Sequence, residues 1–199
     1  MPVLRKAPNV VCNLMGHTLK FKKQTYITAI LDDIMGMTGN FLRVTRTELD
    51  EYLKDSSLLE NRIYNDESED VDPKLVDIDK SWHGILFLLT GQNFENYDHP
   101  LTKIFFSGQI IDEDQDLGYG PGQYLTPEQV KELNVELAEI STAELKSRYD
   151  PKKMTDMDIY PNAWDEDGIV DYLTDYFQIV QQVFSDATKN DEAIIAFIS

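Results

Sequence analysis

Near the end of this 199-residue chain the apolar side chains Ile169, Leu173, Tyr176, Val180, Val183 and Phe184 recur in steps of four and three. That spacing keeps them on one face of an α-helix and predicts an amphipathic helix from about Glu166 to about Thr188. Lys189-Asn190-Asp191 then reads as a turn, and Ala193 to Ile198 as a buried strand. Such a stripe has to be covered by another layer of secondary structure, so whatever precedes it must supply a sheet or further helices.

The preceding residues supply both. Thr38 to Val44 has the β-branched and aromatic content of a short strand. Thr45 and Glu48 form a capping-box pattern for a helix whose buried face is Leu49, Tyr52 and Leu53. Residues 65–73 read as a charge-dense surface loop. Asp79 reads as an N-cap before Trp82, Ile85, Leu86 and Leu89, with Gly91 as the stop. Pro100 opens a short helix with Leu101, Ile104 and Phe105, ended by Gly108. Residues 112–124 form a Gly-rich acidic loop. Thr126 to Gln129 caps a helix with Val130, Leu133, Leu137 and Ile140 inward, and Ser141 with Glu144 caps the next. Ile159-Tyr160-Pro161 reads as a strand end or turn. Helices interleaved with strands from distant parts of the chain predict a single-domain α/β fold, α+β-like in arrangement, with one mixed β-sheet covered by several helices.

Charge bounds the function. Residues 1–34 hold five basic against two acidic side chains, a balance of +3, so against −18 for the whole chain the remainder carries −21. A domain so acidic repels the phosphates of nucleic acids and anionic membrane faces, which argues against direct nucleic-acid binding and leaves a basic protein as the expected partner, unless the charge serves solubility alone. The longest uncharged apolar run, Gly84–Gly91, is far short of the roughly 20 residues of a membrane span. The single cysteine, Cys12, fits a reducing compartment, and the expected location is the cytoplasm. Lys20, Lys22 and Lys23 interrupt any apolar leader core, so residues 1–34 are expected to be a weakly attached extension or a misassigned start, with Met35 as the natural one.

Four blocks resemble the YfbM-like family of bacterial proteins, a domain of unknown function. These are Met35-Gly36-Met37-Thr38-Gly39-Asn40-Phe41; Asp77-Ile78-Asp79-Lys80-Ser81-Trp82-His83 leading to Leu89-Thr90-Gly91; Gly118-Tyr119-Gly120-Pro121 with Tyr124-Leu125-Thr126-Pro127; and Ile159-Tyr160-Pro161. The resemblance covers residues 35–199 and implies a compact, three-layer arrangement of helices and sheet. It implies no reaction.

Chemistry-bearing candidates are few. On a helix, Asp79 and His83 would share a face, letting a carboxylate orient an imidazole; the plainer reading makes Asp79 a cap and His83 an ordinary residue. Gly118–Gly122 has neither a Walker nor a Rossmann spacing, but Tyr119 and Tyr124 flank it and could line a pocket. Asp112, Asp114 and Asp116 imitate a calcium loop, which fails because Leu117 and Gln123 stand where Gly and Glu are required. His17, His83 and His99 show no zinc spacing, so no metal or cofactor is expected. Two readings stand. One is a non-enzymatic interaction domain, immunity-type or regulatory, that meets a basic partner through Asp66, Glu67, Glu69, Asp70, Asp112, Asp114 and Asp116. The other is a small-molecule-binding domain or enzyme with a pocket around Lys80, His83, Tyr119, Tyr124 and Tyr160. The first is preferred; the oligomeric state is left open.

Overall fold

A computed structural model describes residues 36–64, 72–93 and 98–199. Strand β1 (Gly39–Val44) leads to helices α1 (Arg46–Tyr52) and α2 (Ser57–Ile63), then to strand β2 (Leu75–Asp77) and helix α3 (Trp82–Thr90). Strand β3 (Gln123–Leu125) is followed by helices α4 (Pro127–Glu139), α5 (Thr142–Ser147), α6 (Pro151–Asp156) and α7 (Ile169–Asn190), and strand β4 (Ala193–Ile198) closes the fold. The sheet order is β2-β1-β4-β3. The first and last strands are therefore neighbours at its centre.

The expected architecture of one sheet covered by helices is the one found. The sheet, however, is antiparallel at each of its described ladders, where a mixed one was expected. Strand direction was not readable because the pairing strands β3 and β4 are separated by four helices, and periodicity carries no information on which way the chain returns.

Alternation along the strands builds two cores. Phe41, Leu125, Ile194 and Ala196 pack with α3, α4 and α7 on one face, while Leu42, Val44, Ala193, Ile195 and Phe197 pack with Leu49, Tyr52 and Leu59 on the other. This is a helix–sheet–helix sandwich of three layers. Both capping boxes form: Thr45 exchanges bonds with Glu48, and Thr126 with Gln129.

Other local readings need correction. Leu53, expected on the buried face of α1, is 40% exposed just past its end. Asp79 is not the N-cap of α3. It sits at φ 53°, opening a 3-10 turn over Asp79–Ser81, and Ser81 precedes the helix. No described helix is long and apolar enough to cross a membrane.

Candidate functional site

The segment that ends β2 and enters α3 holds several of the candidate residues. The Asp77 carboxylate accepts the Asp79 backbone N–H at 2.6 Å, folding the chain back at a left-handed residue. A non-glycine residue held there is strained, and such strain persists only where surrounding structure over-determines it. The Asp79 carboxylate accepts the phenol O–H of Tyr172 on α7 at 3.0 Å, and the ring of Tyr172 packs edge-on against Tyr176 at 4.9 Å. Burial, with the Asp79 charge beside it, holds both phenols above the ordinary tyrosine range, and burial likewise pushes the Asp77 carboxyl up.

Lys80 follows, 8% exposed. The backbone of Gly36 crosses directly over it: a side chain there would overlap the Lys80 Cε and lie 2.9 Å from both the Lys80 Nζ and the Tyr160 Oη. Tyr160 Oη accepts the Met37 N–H at 3.0 Å. The backbone N–H of Tyr160 donates to His83 Nδ1 at 3.0 Å, so the neutral His83 ring carries its proton on Nε2 and donates it to Asn93 Oδ1 at 3.2 Å. Trp82 stacks on His83 at 4.8 Å and donates its indole N–H to the Met37 carbonyl. Burial pushes the His83 pKa down to about 4. At neutral pH this ring is a neutral structural link between the start of α3 and Tyr160. It is poorly matched to proton transfer, which favours a pKa near the working pH. Asp79 does not orient it, because Asn93 and the Tyr160 backbone hold both its nitrogens.

Among the expected pocket residues, Lys80 and Tyr160 therefore meet beneath Gly36. Tyr119, 52% exposed, lies near them in the 116–120 turn: its N–H donates to the Ile198 carbonyl at the end of β4, and burial, with a smaller contribution from Tyr119, pushes the Tyr160 phenol up. His83 backs this group from the core. Tyr124 does not belong to it, since on β3 it pairs with Ile195 and packs into the core on the other sheet face. Sequence reasoning missed Asp77, Asn93, Tyr172 and Tyr176, whose roles arise from contacts across the fold.

The acidic candidates divide. Asp66, Glu67, Glu69 and Asp70 lie outside the described residues. Asp112 accepts the Ser56 hydroxyl at 2.6 Å and the Asp114 N–H, and Asp116 accepts the N–H groups of Gly118 and Gly120. Those bonds hold both carboxyls below the usual range and shape the loop; Asp114 is exposed. No cluster of three or more metal-ligating side chains occurs among the described residues. A further set of exposed carboxylates stands on the outer faces of two helices, Glu132, Glu136 and Glu139 on α4 and Asp175 on α7, with no ion pair among the described residues. A groove of about 730 Å³ lies between the end of α3 and the start of α6, and a hollow of about 390 Å³ lies beside Tyr52 and Ser56. None of the five pocket candidates lines either.

Residues 35–197 match the family described as "Domain of unknown function (DUF1877)". The chain belongs to this family. Its fold is also that of a solved member of the Escherichia coli proteome, YfbM, itself described as a protein of unknown function. The two superpose with a TM-score of 0.63 at 16% sequence identity, covering 82% of this chain and 100% of that one. At that identity the likeness carries the fold alone. No curated protein matches the chain.

Proposed function

We propose that this member of the family is a non-enzymatic interaction domain that binds a basic protein partner in the bacterial cytoplasm, in a regulatory or immunity-type role. The observation that carries this reading is the net charge of −21 on residues 35–199, read together with the exposed carboxylates Glu132, Glu136 and Glu139 on α4 and Asp175 on α7, which form no ion pair among the described residues. A field of that strength raises the encounter rate with a basic surface and disfavours acidic ones. The state of His83 is consistent with it: burial lowers its pKa to about 4, which makes it a weak base, and both ring nitrogens are already hydrogen-bonded.

The test is a partner captured by cross-linking in the source cell, followed by rate measurements with Glu132→Gln, Glu136→Gln and Asp175→Asn combined. The on-rate is expected to fall more than the off-rate rises. An unchanged on-rate removes this face from recognition, and a partner set that is neutral or acidic contradicts the reading. A second reading, a small-molecule site, is favoured by one observation only, the approach of Lys80 and Tyr160 beneath Gly36.

A further inference from the structure

The groove between α3 and α6 gathers cationic side chains in an acidic molecule. Its walls include Arg148, Lys153 and His99, together with Phe87 and Tyr149. The cations are held rather than loose. Arg148 Nη1 donates to the carbonyls of Leu88 and Leu89 at 3.2 and 3.3 Å, and its Nη2 to the Glu144 carboxylate at 2.5 Å. Lys153 Nζ donates to the Gly91 carbonyl at 3.3 Å and lies 5.3 Å from the Phe87 ring centroid. These contacts anchor both side chains against the last turn of α3 and lower the entropy lost when they grip something else.

Each keeps donors in reserve. Arg148 Nε–H has no partner among the described residues, and Lys153 has three N–H groups against one carbonyl. His99, which lines the groove, accepts the Leu101 N–H on Nδ1 at 3.2 Å, so in the neutral ring the proton sits on Nε2, a donor with no hydrogen-bond partner among the described residues. The carboxylate in the lining, Asp150, already accepts the Lys153 backbone N–H and so caps α6. The volume, about 730 Å³, is within the range of small-molecule sites. In a chain of net charge −18, long-range attraction cannot gather anions, so only local donors of this kind can hold one.

We propose that this groove binds a small organic anion, its carboxylate or phosphate group gripped by Arg148, Lys153 and His99. The inference is independent of the basic-partner reading, because it concerns a different face and the opposite charge.

Competitive amine acylation of the full chain tests it, with citrate and pyrophosphate as separate probes. Lys152 is the internal control: it is one residue away, and its side chain is 83% exposed. Acylation of Lys153 is expected to slow about tenfold at a probe concentration ten times its Kd, while Lys152 is unaffected. Protection by citrate alone assigns a carboxylate, protection by pyrophosphate alone a phosphate, and protection by both a general oxyanion site. His99→Ala, which alters neither α3 nor α6, is expected to reduce the protection. Equal slowing of Lys152 and Lys153 would show bulk screening and overturn the proposal. So would the absence of protection by either probe, or protection unchanged in the His99 variant.

Discussion

His83 shows how a side chain capable of chemistry becomes a structural part. With Trp82 stacked on its ring and both nitrogens engaged, protonation requires adding a buried charge and breaking the bond from the Tyr160 N–H. The consequence for stability has a definite sign. An unfolded histidine titrates near 6.5, whereas this one titrates near 4 in the fold. Between those values the unfolded state binds more protons. The contribution of His83 is therefore complete above about pH 6.5 and is lost as the pH falls toward 4. Denaturant unfolding of the wild type and His83→Gln at pH 7 and pH 5 measures it. The wild type is expected to lose about 2 kcal/mol more than the variant over that interval. Equal losses would mean that His83 is hydrated and titrates normally.

At the scale of elements, close packing decides outcomes that propensity alone would reverse. Gly84 lies within α3, where alanine would ordinarily favour the helix by about 1 kcal/mol. Here a Cβ would come 2.7 Å from Trp164 and 2.8 Å from Leu173. Gly84→Ala is therefore expected to destabilise the domain by about 1–3 kcal/mol in urea unfolding; equal or greater stability would show that α7 and the Trp164 loop yield easily. Glu192 ties the sheet in a comparable way. Its side chain, 6% exposed, pairs with Arg43 at 3.2 Å and Lys74 at 2.8 Å. Glu192→Ala should cost about 2–4 kcal/mol, because Arg43 is left largely buried without its anion. The exposed pair Lys152–Asp156, screened by solvent, should contribute little to stability.

The elements also mark what a sequence can reveal. Thr45 with Glu48 and Thr126 with Gln129 were legible because a capping box is complete within four residues. The stripe on α7 was legible because it repeats. The short α2, α6 and β2 repeat too little to be seen. Asp79 carried the usual signal of an N-cap, but its backbone is set by Asp77 and by Tyr172, 93 residues away. The site was legible only in part for the same reason. Lys80, Tyr119 and Tyr160 stood out by residue type, while Tyr124 failed because one step along a strand exchanges faces.

For the whole molecule, charge is the property that the fold leaves exposed rather than neutralises. Glu192 is paired with Arg43 and Lys74, and Arg62 with Glu48 and Asp72, whereas Glu132, Glu136 and Glu139 on α4 and Asp175 on α7 stay exposed without an ion pair among the described residues. The net −21 on residues 35–199 thus projects outward. The range of that field is set by the Debye length, about 30 Å at 0.01 M ionic strength and about 8 Å at 0.15 M. The most direct measurement is the association rate of the domain with its captured partner across those two ionic strengths. The account predicts a steep fall in on-rate, of at least about tenfold, with a much smaller change in off-rate. An on-rate independent of salt would contradict it and leave solubility as the role of the charge.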